Sequence, residues 1–591
     1  VANSPWHIGN TTVRNPYRLK DGLRALARSP LIGNLDSKRS EFSFAELLHE
    51  SEVVHVARIE SGKGEDYSDL GRKWRSALDK MGFITPKPTR NLKTGAIDPR
   101  LQEAVTDFPI LTGRPYELTP QGERLARAGT LPEEQDCFLR AMLAYQLSSD
   151  DPEFTEPFNP LRVTLRVINE LGKLGADAAV NNEEVAAVVQ FVKSERAAER
   201  AAKAIIKYRS DRKHAKNKNA FDRQWRSLIT KEVVDKRLRT FGDYADSNMR
   251  YLRITGLFSL KGRGIQFAPT REALINQILS SPFTPRDEVS YLKALWQGAE
   301  LPTDREPEAR ITINSLAAAL RTRGEQIVLP NLLPLDVRDL THIRFGLEQQ
   351  LETLQEKEFA DKQASEWQDI LEYIDHLSGL KGSKRRVPDS EGPAYLEWSI
   401  WRAFLAIDSL TNKPSEARRF QVDQDFLPIR TAPGNGPDMI FEFNDFVLVV
   451  EVTLSRASRQ EAMEGEPVRR HVARVIEEYE QAGKEVFGLF IAVDVDTNTA
   501  ETFRIGSWYK RDDTRLTLSI VPMRLEQFAR VFKTGFSRGV LRPEEVKRVL
   551  RSCLDRREAE APIWKRLIED EVATFTRGSS FSGGLLEAQQ S

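Results

Sequence analysis

The chain has 591 residues, 40% hydrophobic and 29% charged, which predicts a soluble protein of three or four domains. The formal net charge is zero, from 87 basic and 87 acidic side chains, but residues 1–300 carry 47 basic against 39 acidic groups and residues 301–591 carry 40 against 48. Cys137 and Cys553 stand too far apart for a CxxC zinc site, and two cysteines make no disulfide framework. No run reaches the ~18 apolar residues of a membrane span, and the first residues lack the blocks of a signal peptide. A cytoplasmic protein with no membrane partner is therefore expected.

In chain order, the opening segment Trp6 to Pro16 reads as too polar for a core. It is expected as an arm along DNA, with Arg14 as a contact. A pattern then recurs about 175 residues apart. The first copy is a helix near 66–81, then Gly82-Phe83-Ile84, an irregular stretch, Glu117-Leu118-Thr119-Pro120 and a further helix. The second is a helix near 241–254, then Gly256-Leu257-Phe258, the turn Lys261-Gly262-Arg263-Gly264, Ile265-Gln266-Phe267 and a Thr270-capped helix. Glycine ends the helix, the alternating segments pair as a hairpin, and proline opens the next helix. That order is the order of a winged helix, which lays one helix in the major groove and its wing on phosphates. Asn248, Arg250 and Arg253 are the candidate base-reading residues, since Asn and Arg match adenine and guanine edges. Lys261 and Arg263 at the wing tip, and Lys213 and Lys216 in the window 201–250 with its 14 basic and 6 acidic residues, suit phosphates. The turn at 261–264 is too short for a nucleotide-binding loop. Winged helices also serve as protein-interaction modules, and the basic run also fits a solvated helix face.

Residues 285–338 are punctuated by prolines, and 339–378 read as a long helical stretch with Ile343, Leu347, Leu351, Leu354, Trp367, Ile370, Leu371 and Ile374 on one face. The window 351–400 holds 11 acidic against 6 basic residues. A spacer that DNA does not attract is expected here.

The chemistry concentrates in 394–466. Pro437 to Phe443 is a strand, Asn444-Asp445 a two-residue turn, and Phe446 to Leu454 a second strand. If Phe443 pairs with Phe446, Asp438 stands directly opposite Glu451 on the same face, with Cβ atoms ~4.5–5.5 Å apart. Two facing carboxylates are unfavourable unless a positive charge lies between them, and an oxygen-preferring cation, Mg²⁺ or Mn²⁺, is the natural occupant. Glu397 precedes the hairpin on a helix with a core-facing stripe. Glu464 and Glu466 follow it at the head of a helix that also contains His471. Pro388-Asp389 has no strand after it and reads as chance. The remaining order is a buried run 486–493, a last strand over 515–522 and a helix from Arg524, giving a mixed sheet flanked by helices. The glycine- and serine-rich end, 578–584, reads as flexible.

This order, with Pro-Asp on one strand and an acid 13 residues on, resembles the PD-(D/E)XK nuclease fold. Closer still, Ala432 to Met439, Glu451-Val452-Thr453, Met463 to His471, Glu397 to Trp401 and Arg250 to Phe258 resemble the AlwI-type family of type IIS restriction and nicking endonucleases, over nearly the full chain. The resemblance implies that Glu397, Asp438, Glu451 and Glu464 are catalytic, with Asp438, Glu451 and Glu397 on the metal. It also implies a bacterial restriction–modification system with a cognate DNA methyltransferase that is not a stable partner. One departure stands out: Thr453 occupies the place of the lysine in the broader signature. Glu464 is the candidate to replace it, and His471 and Lys484 are poorer ones.

The fold class expected is multidomain α+β. It comprises a DNA-recognition domain over 1–284 with winged-helix-like subdomains near 60–130 and 230–280, a mainly helical linker over 285–387, and a PD-(D/E)XK-like nuclease domain with a mixed sheet over 388–591. The expected function is a Mg²⁺-dependent type IIS endonuclease that binds a short asymmetric site in double-stranded DNA and cuts a few base pairs downstream. The one carboxylate cluster cuts one strand at a time, so a double-strand break needs a transient homodimer or a small nuclease subunit. Strand-specific nicking is the alternative. A non-catalytic DNA-binding regulator with a degenerate nuclease domain is the competing class, and an RNA-directed nuclease is disfavoured for want of a stacking motif.

Overall fold

The computed structural model describes residues 4–13, 15–54, 66–87, 98–232, 234–388, 391–407, 409–456 and 460–577. The chain divides into two units, 1–352 and 353–591, and the boundary falls within one continuous helix, Val337–Lys362. The linker expected over 285–387 is therefore shared out between the units. In the first, Trp296 packs edge-on against Phe108 at 5.8 Å, and Arg344 is buried against Asp136 at 2.8 Å. In the second, Ile370 and Ile374 join the core that contains Trp401 and Phe404. The apolar stripe of the supposed spacer is a core-facing stripe, held there by burial. Among the described residues no helix is long and apolar enough to cross a membrane.

In the first unit, helix α1 (Ser68–Lys80) and helix α2 (Pro120–Arg127) flank a single antiparallel bridge, Ile84 to Leu118, where two short strands were expected. Thr119 caps α2 by accepting a hydrogen bond from the Gly122 amide at 3.0 Å. The second region is fuller. It runs helix α3 (Pro160–Lys173), strand β1 (Ala179–Asn181), helices α4 (Ala198–His214), α5 (Lys218–Thr230) and α6 (Asp235–Arg253), strands β2 (Phe258–Lys261) and β3 (Gly264–Phe267), and helix α7 (Glu272–Ser280). The three strands form an antiparallel sheet in the order β1-β3-β2. The expected helix–hairpin–helix order is present, and β1 completes the sheet. Gly256, at φ +73°, ends α6 where a Cβ would meet the Gln135 side chain at 2.6 Å.

The opening segment departs from expectation. Trp6, Ile8 and Val13 are buried. The Trp6 indole donates to the carbonyls of Val189 and Val192 at 3.1 Å each, His7 stacks on Tyr244 at 4.5 Å, and the Ile8 amide donates to Asn248 Oδ1 at 2.9 Å. Three spaced apolar side chains bury the segment because its polar groups find partners inside the unit. It is core, not a DNA arm. Arg14 and residues 578–584 lie outside the described residues, as does Asp389 of the Pro388-Asp389 pair.

The second unit contains helix α8 (Gly392–Leu405), a ribbon of β4 (Gln421–Val422) and β5 (Pro428–Arg430), strands β6 (Met439–Glu442) and β7 (Phe446–Thr453), helix α9 (Glu466–Tyr479), strand β8 (Glu485–Ala492) and helix α10 (Thr497–Ile505). The predicted last strand is split into β10 (Arg515–Thr517), which pairs with β9 (Ser507–Tyr509), and β11 (Ile520–Arg524), which leads into helix α11 (Leu525–Arg538). The central sheet has the order β11-β8-β7-β6, with β6 antiparallel to β7 and the rest parallel. Strand β7 is buried on both faces, as a central strand of a covered sheet must be. Phe446, Leu448 and Val450 enter the core around α8, and Val447 and Val449 enter the core beneath α9, with Val468, Val472 and Val475. Strand alternation therefore aims Glu451 towards α9.

Candidate active site

Hairpin β6–β7 runs in register from Glu442 opposite Val447 to Met439 opposite Val450, and the Phe443 amide donates to the Phe446 carbonyl at 2.9 Å. The ladder ends at Met439, and its register carried one step further sets Asp438 opposite Glu451. The Val452 amide donates to Asp438 Oδ2 at 2.8 Å. Repulsion from Glu451 helps to push the Asp438 carboxyl up.

Two further acids flank the pair. Glu397, buried on α8, accepts a hydrogen bond from the Ala432 amide at 2.7 Å and feels the charge of Asp438 first and of Glu451 next. Glu464 sits in a π-helical turn, Glu461–Gly465, at the entry to α9, and its charge acts on both Asp438 and Glu451. Thr453, where the broader signature has lysine, lies near Glu464 and its hydroxyl opposes the rise in the Glu464 pKa. Glu466 points elsewhere, into an ion pair with Arg470 at 3.0 Å.

Arg419 gains a place that the sequence did not mark, and His471, a poor stand-in for the missing lysine, gains a different role. His471 lies one turn into α9 on the face covering β7, and its Nδ1 is 2.6 Å from Glu451 Oε1. Arg419 donates its amide to the Asp438 carbonyl at 3.1 Å, and its charge opposes the rise in the Glu451 pKa. Its guanidinium lies against Gly436, where a Cβ would clash at 2.0 Å. Lys484 is ruled out of the chemistry. Its Nζ donates to the Phe443 carbonyl at 2.8 Å, at the turn end of the hairpin and about 16 Å along the strand from Asp438.

The electrostatics follow from burial. Desolvation, then mutual repulsion, pushes the carboxyls of Glu397 and Asp438 well above the usual range. Burial lifts Glu451 to about 8 and raises Glu464. Burial and neighbouring arginines bring His471 down to about 4, so the ring is neutral near pH 7 and shares a hydrogen bond with Glu451 through Nδ1. A buried set of hard oxygen donors whose charges repel fits a divalent cation. Among the described residues no three or more His, Cys, Asp or Glu side chains converge as a ready ligand cage. The site offers a carboxylate pair with neighbours, which suits an ion that keeps part of its water shell.

The sequence profile of the AlwI restriction endonuclease family matches residues 79–531. The chain belongs to that family. It is thus related to DNA endonucleases, and the carboxylate cluster lies inside the matched span. No curated protein matches it. Among solved structures, the small subunit (R.BspD6I2) of the heterodimeric restriction endonuclease R.BspD6I is similar at 22% identity and a TM-score of 0.28, over 35% of this chain and 98% of that one. The BpuJ1 endonuclease binding domain, solved with modified DNA, is similar at 12% identity and a TM-score of 0.26, over 50% of this chain and 96% of that one.

In this AlwI family member the candidate DNA contacts divide by exposure. Asn248 is fully buried. It accepts from Ile8 and donates to the Trp6 carbonyl at 3.3 Å, so its amide is spent inside the unit and is withdrawn as a base reader. Arg253 is also buried, and Arg250 is half-buried against Asp246 at 3.2 Å. The buried face of α6 continues through its C-terminal half, which is why these residues turn inward. Lys261 is exposed and paired with Asp177 at 2.6 Å, and Arg263, Lys213 and Lys216 are exposed.

Proposed function

We propose that this AlwI family member is a Mg²⁺-dependent type IIS endonuclease, in which Mn²⁺ can substitute. Its first unit reads a short asymmetric duplex site through winged-helix-like subdomains, and its second, PD-(D/E)XK-like unit hydrolyses phosphodiester bonds a few base pairs downstream. The observation that carries this reading is the register placing Asp438 opposite Glu451, with Glu397 and Glu464 beside them.

Asp438 and Glu451 would hold the cation, and Glu397, which accepts from the Ala432 amide, would have to move in to join them as a third ligand. A divalent cation, when bound, stabilises charge that builds on the scissile phosphate. Glu464, with the Thr453 hydroxyl near it, takes a proton from the attacking water. The water oxygen bonds to phosphorus as the opposite P–O bond breaks, and the leaving oxygen is protonated from solvent. His471 keeps Glu451 in one orientation through the hydrogen bond at its Nδ1. One such cluster is present among the described residues, which favours a second reading of the same chemistry, strand-specific nicking. Double-strand cutting then calls for a transient homodimer or a small nuclease subunit.

Supercoiled plasmid tests the reading. Wild type should relax or linearise it with Mg²⁺ and not with EDTA, and Asp438→Ala should retain duplex binding without cutting. A wild type inert with every divalent metal would favour a DNA-binding regulator.

A further inference from the structure

The corner between α5 and α6 combines features that the four-carboxylate site does not use. Leu228 is 73% exposed, Ile229 42% and Val234 52%. Singly exposed apolar residues are ordinary, but three within seven positions gather at this corner. Around them Arg223, Lys231, Lys236 and Arg239 are exposed, and none makes an ion pair among the described residues. The nearby acids are few. Glu232 is taken up by Arg237 at 3.1 Å, and Asp235 is exposed at the first position of α6.

The corner is also firmly held. The Arg226 guanidinium donates to the Leu238 carbonyl at 2.9 Å, and the Ser227 hydroxyl donates to the Glu232 carbonyl. Trp225, one turn back, stacks on Tyr208 at 4.0 Å. Lys231 ends α5 in the left-handed conformation at φ 54°, where a glycine would fit with less strain, so a cation stands at the tip. On α6, Lys236, Arg239 and Thr240 share one stripe at helical spacing, and this N-terminal half is exposed where the C-terminal half is buried.

We propose that this corner is a duplex-DNA-binding surface, with Lys231, Lys236, Arg239 and Arg223 on phosphates and Leu228 and Ile229 seated in a groove against base edges. The proposal rests on the DNA-binding reading given above and deepens it. Charge complementarity chooses the occupant. Protein interfaces are depleted in lysine at their centre, whereas an apolar wedge rimmed by unpaired cations matches a polyanion with an apolar groove floor. It also moves the reading face from the buried Asn248 and Arg253 to the first half of α6.

The test is binding of a mixed-sequence duplex of about 30 base pairs by the full chain in EDTA, followed by anisotropy from ~50 to ~200 mM salt. Lys231→Gln, Lys236→Gln and Arg239→Gln combined should flatten the slope of log K against log salt by about 2–3, and Asp235→Lys should steepen it by about 1. Leu228→Ser with Ile229→Ser should weaken binding at least about fivefold at an unchanged slope, since it removes groove contact and no charge. These positions are exposed, so circular dichroism should match wild type throughout. A combined glutamine variant with wild-type slope and affinity would overturn the proposal. So would a serine variant that binds DNA normally while losing self-association in sedimentation, which would mark a protein interface. A wild type that fails to bind duplex at any salt would instead overturn the DNA-binding reading on which this rests.

Discussion

Nδ1 of His471 lies 2.6 Å from Oε1 of Glu451, and Nε2 of the same ring is buried with no hydrogen-bond partner among the described residues. The ring is neutral because burial holds its pKa near 4. With its hydrogen on Nδ1 the ring donates to an ionised Glu451, and with it on Nε2 the ring accepts from the protonated carboxyl, so the contact orients Glu451 in either state. Removing a group that orients a metal-ligand carboxylate typically costs about 10–100-fold in metal affinity or activity. His471→Ala should lower cleavage by that order and raise the Mg²⁺ concentration needed. His471→Gln, which can still donate, should recover part of both. Calorimetric metal titration beside cleavage rates checks this, and unchanged metal affinity in His471→Ala would refute the orienting role.

Stability without metal should fall as pH rises. Glu451 is lifted from an ordinary value of 4.5 to about 8, so the folded state holds a proton that the unfolded state releases across that window. The contribution is fully present below about pH 4.5 and is lost as pH passes 8, by a few kcal/mol. Urea unfolding in EDTA from pH 5 to 8.5 should show midpoints falling with pH. Mg²⁺ should reverse the trend, because it binds the ionised carboxylates and expels protons. Calorimetry in buffers of different ionisation enthalpy would read that release, and a pH-independent unfolding midpoint would contradict it.

Asp438→Asn separates function from stability. It removes one of two facing acids, so the metal-free protein should melt higher, by roughly 2–4 °C per kcal/mol of repulsion relieved. Cleavage should drop at least about a hundredfold with loss of a metal ligand. A variant that cuts normally would remove Asp438 from the site.

Asn248 should matter for folding. Its carboxamide joins Ile8, Trp6 and Gln190 inside the first unit. Asn248→Ala should cost about 1–3 kcal/mol, since it strands the buried Ile8 amide. The folded fraction should still bind duplex DNA with wild-type affinity. Unaltered stability with weakened DNA binding would restore it as a base reader.

These outcomes trace what one-dimensional reasoning can reach. The Asp438–Glu451 pair was legible because a two-residue turn and a period of two set the register, and both are local. His471 reads from sequence only as a poor stand-in for the missing lysine; its contact with Glu451 was not legible, because it depends on which face of α9 lies over β7, a matter of packing. The opening segment misled because its polar residues outnumber Trp6, Ile8 and Val13, and sequence does not reveal that Asn248 and Gln190 wait to pair with them. The linker misled for a related reason: an amphipathic stripe shows that something will be buried, and not against which unit. Asn248 and Arg253 have the chemistry of base readers, but helical phase turned them inward.

The most direct measurement is run-off sequencing of DNA ends produced by the purified protein with Mg²⁺, alongside Asp438→Ala. Ends at one fixed distance downstream of one short asymmetric motif, on one strand or both, absent from the variant, are expected. Ends scattered without a common motif, or identical ends from Asp438→Ala, would contradict a type IIS enzyme working through the Asp438–Glu451 pair.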